Sequence, residues 1–282
     1  MSLNYNNMPQ DNRIAVILPV YKGDRAEYLK LSVDSILNQT YKNFELYIGV
    51  DGPIPLELEE AIKNIQDKRI KVISFEINRG LAIVLNDLIS IAEKDGFDFL
   101  ARMDADDISM PDRFQKQVAF LLSNTEIDVV GGAIEEIDET GRSRNKTITY
   151  PLTPSQCRQF FAKRNPHAHP AVMFRPSFFK KVGHLYRPEY RQNQDTMLWF
   201  DGFSKGTKNA NLQDVVLNFR MTDSLFKKRR NGWKFAKKQM KDRLLINRSL
   251  GYGIGADIFG LMMFTLLVSP TWFRKVAYRL FR

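Results

Sequence analysis

Arg102-Met103-Asp104-Ala105-Asp106-Asp107 places three carboxylates within four residues, directly after an apolar run. Residues two apart point to the same side of an extended chain, so Asp104 and Asp106 can face one cation. Mg2+ or Mn2+ is typically held by one or two carboxylates while substrate phosphates complete the shell. The competing reading is an acidic loop capping the helix that Ser109 and Pro111 would open. Three like charges in so short a span favour the cation, because they repel unless a cation or donors compensate. The chain has no G-x-G-x-x-G and no G-x-x-x-x-G-K-[ST]. The fingerprints of a nicotinamide dehydrogenase and a P-loop NTPase are therefore missing. His167 and His169 are two apart, but neither Cys157 nor His184 adds a recognisable zinc spacing. Hydrogen-bonded loop histidines are the commoner case.

The elements that must carry these residues follow from hydrophobic period. Arg13 to Val20 is a nearly continuous apolar run, the pattern of a strand buried on both faces. Tyr28, Leu31, Ser35 and Ile36 share a helical face, and the run Phe44 to Val50 stops at Asp51-Gly52-Pro53. Leu56 to Gln66 predicts a helix, Ile70 to Phe75 a third strand, Leu81 to Lys94 a helix opened by Asn78-Arg79-Gly80, and Phe97 to Met103 a fourth strand. This βαβαβαβ alternation implies an α/β fold with an open, mostly parallel, Rossmann-like sheet flanked by helices. Such sheets bind ligands beyond the carboxyl ends of their strands, where Tyr21, Asp51, Asn78 and the acidic cluster fall. Pro111 to Leu122 predicts a further helix, and Ile127 to Ile137 with Ser143 to Tyr150 a hairpin. A nucleotide-type sheet, a carboxylate-held metal and no evident protein nucleophile fit direct transfer from a diphosphate-activated donor.

The 282 residues carry 42 Lys and Arg against 32 Asp and Glu, a net charge of +10. Taken as an average, that charge suggests a nucleic-acid partner. Residues 220–282, however, hold 15 basic and 3 acidic groups, a net +12, and leave residues 1–219 with 27 basic and 29 acidic, a net −2. A near-neutral catalytic body (1–219) and a basic, partly apolar helical tail (220–282) are expected, with no nucleic acid. The apolar run Ile258 to Val268 is 11 residues long, against about twenty needed to span a bilayer. Lys227-Lys228-Arg229-Arg230, and Trp272, Phe273 and Tyr278 among Arg274, Lys275, Arg279 and Arg282, have the composition of an in-plane anchor on anionic lipid over residues 227–282. A helical pair packed on the body is the alternative. The single Cys157 and the polar start, without a signal-peptide pattern, predict the cytoplasmic face of the membrane.

Several motifs in register resemble the family 2 glycosyltransferases of the GT-A fold. They are Val16-Ile17-Leu18-Pro19-Val20-Tyr21, Ser35-Ile36-Leu37-Asn38-Gln39-Thr40-Tyr41, Asn43-Phe44-Glu45-Leu46, Asn78-Arg79-Gly80-Leu81 with Asn86, Met103-Asp104-Ala105-Asp106-Asp107 and Pro111-Asp112-Arg113-Phe114. The resemblance implies that Asp51 hydrogen-bonds the nucleotide base in a pocket formed around Pro19 and Tyr21, and that Asn78 and Gly80 belong to the donor site. It implies Asp104 near ribose and metal, and Asp106 as the main metal ligand. Asp195, in Asn193-Gln194-Asp195, matches the family's catalytic base, and His169 would contact acceptor or diphosphate. Two departures stand out: Asp51-Gly52-Pro53 replaces two acidic residues followed by Gly-Ser, and Gln194 replaces a Glu.

The resulting expectation is an inverting, Mg2+- or Mn2+-dependent hexosyl transfer from a UDP-sugar to a hydroxyl of a glycan or lipid-linked glycan, in cell-surface polysaccharide biosynthesis. A sugar-phosphate nucleotidyltransferase would release pyrophosphate from a nucleoside triphosphate, but Lys22-Gly23-Asp24 is too brief for its Gly-rich loop. A non-enzymatic membrane or nucleic-acid adaptor would leave the acidic cluster without a purpose.

Overall fold

A computed structural model describes residues 10–222, 233–269 and 273. The first half alternates β1 (Ile14–Val20), α1 (Ala26–Leu37), β2 (Phe44–Asp51), α2 (Leu56–Lys63), β3 (Ile70–Phe75), α3 (Leu81–Asp95) and β4 (Phe99–Arg102). Then come β5 (Ile108–Ser109), α4 (Arg113–Ser123), β6 (Val129–Ile137), β7 (Ser143–Ile148), α5 (Pro154–Phe161), β8 (Met173–Phe174), α6 (Pro176–Val182), α7 (Gln194–Ser204) and β9 (Asn209–Arg220). The strands form one sheet in the order β3-β2-β1-β4-β8-β6-β9-β5, with β7 hydrogen-bonded to β6. The part from β3 to β4 is parallel, as the alternation predicts. Beyond β4 the sheet is mixed, because β8 runs antiparallel to both β4 and β6.

Every residue of β1 is buried, and alternation sends its side chains into two layers. Ile14, Val16, Leu18 and Val20 meet Leu29, Val33 and Ile36 of α1 and Phe114 of α4. Ala15 and Ile17 face Leu85 and Leu88 of α3 together with Phe174 and Trp199. Gly49 lets α3 seat directly on β2, since a Cβ there would lie 2.7 Å from Val84 and 2.8 Å from Leu88.

Two of the boundaries that differ from expectation flank the acidic run. The fourth strand ends at Arg102, and α4 starts at Arg113 rather than Pro111. Ser109 is not a helix cap but lies in β5, its hydroxyl accepting from Gln39 Nε2 at 3.2 Å. The same amide donates to the Met110 carbonyl at 2.7 Å, so the end of α1 fixes this segment before the helix can begin.

Arg220, where the basic tail was expected to begin, is the last residue of β9. The tail forms α8 (Trp233–Leu250) and α9 (Ile254–Val268). Ile246 of α8 is buried in the same cluster as Phe161 and Trp199, and Arg243 donates to the Phe161 carbonyl. The first tail helix therefore packs on the body. By contrast α9 buries only Ala256 and Gly260 and exposes Ile254, Ile258, Leu261 and Met262. No helix among the described residues is long and apolar enough to cross a membrane. Lys227, Lys228, Arg229, Arg230, Trp272, Arg274, Lys275, Tyr278, Arg279 and Arg282 lie outside the described residues.

Candidate active site

The register pairs Val20 with Val50 and Ile17 with Arg102, which sets Tyr21, Asp51 and Asp104 along one carboxyl edge of the sheet. There Asp104, Asp106 and Asp107 bring carboxylate oxygens within 4.8 Å of one another. Their convergence has a different cause from the one expected. The strand has already ended, and a turn at Ala105-Asp106, not strand alternation, gathers the three groups. The turn is pinned on one side by Ser32, whose hydroxyl donates to the Asp104 carbonyl at 2.8 Å. On the other side the Arg220 backbone N–H donates to Asp107 Oδ1 and its Nε to the Asp106 carbonyl, both at 2.8 Å. The Arg220 guanidinium continues to the carbonyls of Asp138 and Glu139, each at 3.0 Å, and lies 4.2 Å above the Tyr28 ring.

Asp107 is 1% exposed and its Oδ2 has no hydrogen-bond partner. Burial first, then the charges of Asp106 and Asp104, push its pKa well above the usual carboxylate range, against the Arg220 N–H and Arg102. Arg102, buried at the end of β4, forms an ion pair with Asp104. Behind it Arg113 is fully buried, and its Nη2 donates to the carbonyls of Arg102 at 2.8 Å and Val172 at 3.2 Å. Burial and the neighbouring Arg102 lower its pKa to about 9. An oxygen-only donor set with one unmet buried acceptor suits a hard divalent cation such as Mg2+ or Mn2+. The residues thus fit the metal, with Asp107 a third candidate ligand beside Asp104 and Asp106.

Asp51 is 5% exposed and clamps the loop after β3. Its Oδ1 accepts the Arg79 N–H at 2.7 Å, and its Oδ2 accepts Asn78 Nδ2 at 2.8 Å and the Gly80 N–H at 2.9 Å. Asn78 and Gly80, expected to touch the donor, are thus partners of Asp51 first. Gly80 sits at φ 93° where α3 begins, a backbone that a side chain would strain. Pro19 is buried within β1, and Tyr21, one residue past it, is half-buried with its N–H on Asp24 Oδ2 at 2.9 Å.

Asp195 stands in the first turn of α7, half-buried, its Oδ2 accepting from Asn165 Nδ2 at 2.9 Å. His169 is 9% exposed, pairs Nε2 with Tyr186 Oη at 2.7 Å, and packs edge-on to Tyr186 and Trp199. Burial, then Arg102 and His167, hold its pKa well below the ordinary histidine value. His169 is therefore a neutral support for Tyr186. His167 pairs instead with Asn211 at 2.8 Å, and burial lowers its pKa to about 4. Tyr186 is raised by burial first, lowered by Arg102, and raised again by Asp195 and Asp104, so it feels both the acidic turn and the α7 carboxylate. Asn86 holds the Tyr186 backbone by both its N–H and its carbonyl, each at 2.8 Å.

A family model described as glycosyl transferase family 2 matches residues 15–183. The chain belongs to glycosyl transferase family 2. This glycosyltransferase is 31% identical over 236 residues to the amylovoran biosynthesis glycosyltransferase AmsE of Erwinia amylovora, covering 80% of this chain and 83% of that protein. It is 32% identical over 210 residues to the O-antigen biosynthesis glycosyltransferase WbnJ of Escherichia coli, covering 74% and 79%. It is also 27% identical over 270 residues to the UDP-Gal:alpha-D-GlcNAc-diphosphoundecaprenol beta-1,3-galactosyltransferase of Escherichia coli, with 95% of each chain covered. Among solved structures, S. aureus TarS 1–349 in complex with UDP-GlcNAc superposes with a TM-score of 0.63 at 16% identity, over 84% of this chain and 66% of that one. That likeness carries the GT-A fold and nothing finer.

The acidic run pointed to Asp107 but not to its burial. Arg102, Arg113, Arg220 and Tyr186 carry no site signal in the sequence beyond Arg113 lying inside a family motif and Arg102 directly preceding one.

Proposed function

We propose that the protein moves a sugar from a UDP-sugar to a hydroxyl of a lipid-linked glycan with inversion, using a divalent cation at Asp104, Asp106 and Asp107. The unmet Oδ2 of buried Asp107 among converging carboxylates is the observation that carries this reading. The names of relatives support the substrates: O-antigen and amylovoran biosynthesis, and a galactosyltransferase acting from UDP-Gal on a diphosphoundecaprenol-linked sugar. The body through Arg220, the end of β9, holds the chemistry, and residues 227–282 meet an anionic membrane surface on its cytoplasmic face. No nucleic acid takes part.

Asp51, Pro19 and Tyr21 hold the base side of the donor, Asp51 acting also by fixing the loop of Asn78 and Gly80. A cation bound at the acidic turn supplies charge neutralisation to the departing diphosphate. Asp195 accepts the acceptor hydroxyl's proton as that oxygen bonds to the anomeric carbon and the bond to the diphosphate breaks. Asn165 orients the Asp195 carboxylate, and buried Tyr186, hydrogen-bonded to His169, is close enough to both Asp195 and Asp104 to feel their charge.

Transfer and hydrolysis of a panel of nucleotide sugars with Mg2+ or Mn2+ test this. Asp106→Ala and Asp195→Asn are expected to lose activity, and full activity in both overturns the site. Pyrophosphate release from a nucleoside triphosphate would indicate the nucleotidyltransferase instead.

A further inference from the structure

Among the polar contacts of the tail with the catalytic body, one group lies at the start of α7. Asp242 of α8 is 5% exposed. Its Oδ1 accepts from Tyr190 Oη at 3.3 Å and its Oδ2 from Asn193 Nδ2 at 3.2 Å. Gln239, one turn earlier on α8, donates Nε2 to Asn193 Oδ1. Both ends of the Asn193 amide are therefore gripped by the tail helix. Lys238 adds a cation over the Tyr190 ring, 4.4 Å from its centroid.

Asn193 is where the chain turns into α7. Its φ of 65° and ψ of 16° are left-handed, a conformation that non-glycine residues rarely adopt and that Asn tolerates better than most. Its carbonyl accepts the Met197 N–H at 3.0 Å, the first hydrogen bond of the helix. Asp195 follows two residues later in the first turn of α7, so the dihedral angles at Asn193 set the direction of its carboxylate.

We propose that α8 is a positioning element for the transfer reaction, in which Asp242 and Gln239 hold Asn193 in the left-handed turn that aims Asp195 at the acceptor hydroxyl. The inference rests on Asp195 being the base. It makes the tail a contributor to turnover as well as an attachment, and makes Asp242, Gln239 and Asn193 positioning residues rather than catalytic ones.

Steady-state kinetics of the full chain with UDP-galactose and UDP-N-acetylglucosamine, together with UDP binding by calorimetry and thermal melts, test the inference. Asp242→Ala and Asn193→Ala are each expected to lower kcat by about ten- to a hundredfold, the scale on which small misplacements act. UDP affinity should stay near wild type, while Tm falls by a few degrees, because Ala is strained in the left-handed turn or buried hydrogen bonds are lost. The double variant should be no slower than the slower single one, since both break one contact. Gln239→Ala, a milder change, should lower kcat less and in the same manner. Unchanged kcat in Asp242→Ala and Gln239→Ala overturns the proposal. A joint fall of kcat, UDP affinity and Tm also overturns it, because that is the mark of general loosening. Asp195→Asn separates the two layers. Full activity there removes the base assignment, whereas an inactive Asp195→Asn beside a normal Asp242→Ala removes only the role of α8.

Discussion

Replacing Asp107 by Asn should stabilise the metal-free protein while disabling it. At separations within 4.8 Å, Asp106 and Asp104 each oppose a charge on Asp107 by about 3 kcal/mol at an effective dielectric near 20. Arg102 and the Arg220 N–H offset part of this, and solvent screening weakens the Asp104 contribution, because that side chain is 33% exposed. A net relief of about 2 kcal/mol remains, which for a chain of this size raises Tm by about 4 °C. Asn keeps the Oδ1 acceptor for the Arg220 N–H, so that hydrogen bond survives. The same substitution removes a ligand charge. Saturation of the wild type with Mn2+ and UDP at about a hundredfold over Kd adds about 2.7 kcal/mol, and the variant should gain little of it. Melts at pH 7.5 in EDTA and then in Mn2+ with UDP read both effects. A metal-free variant that melts at or below wild type, or one that keeps the full ligand-induced shift, refutes the account of Asp107 as a destabilised ligand.

Asp51→Asn leaves one acceptor oxygen for donors from three residues. UDP affinity should fall about tenfold as the Asn78–Gly80 loop loosens, and an unchanged calorimetric Kd would remove the clamp from the donor site. His167, held neutral with its pKa lowered to about 4, binds fewer protons folded than unfolded. Its share of stability is full above about pH 6.5 and is lost as pH falls toward 4, by about 3 kcal/mol. Urea titrations between pH 7 and 4 check this, and a His167→Gln variant with an equally steep acid loss would show that other groups cause it. Ile258→Ser with Leu261→Ser on exposed α9 removes about 1.5 kcal/mol of burial per side chain. Partition onto phosphatidylserine vesicles should drop about a hundredfold in sedimentation, and equal binding by the variant would move the anchor elsewhere.

Local chemistry was legible where it repeats at short range. The strand Ile70–Phe75 matches its expectation at both ends, and β1 differs by one residue, because apolar runs and alternation are properties of neighbours. Asp51 was recognised by type, yet its first partners lie 27 to 29 residues on, in a loop whose geometry no periodicity reveals. His169 was picked out by type, but its hydrogen bond to Tyr186 and its packing on Trp199 were not, since a histidine carries the same letter whether it faces solvent or a tryptophan. Arg220 was counted as the start of the tail because charge arithmetic has no term for a strand that ends on an arginine. The grip of Asp242 on Asn193 spans 49 residues and two helices. Such contacts depend on how elements stack, and stacking leaves no local pattern.

The partnership of Asp107 with Arg220 also sets an order of assembly. The acidic turn leaves the ribosome 113 residues before the residue that pins it, an interval of about 6 to 23 seconds at ordinary elongation rates. Through that interval every motif residue of the turn exists, but the strand that closes the sheet over it does not. A message truncated between codon 107 and the start of β9 at codon 209 would therefore yield a chain that still carries the acidic motif but has no strand to hold it. The contacts that fix the acidic turn are thus completed late in synthesis, once β9 takes its place between β5 and β6.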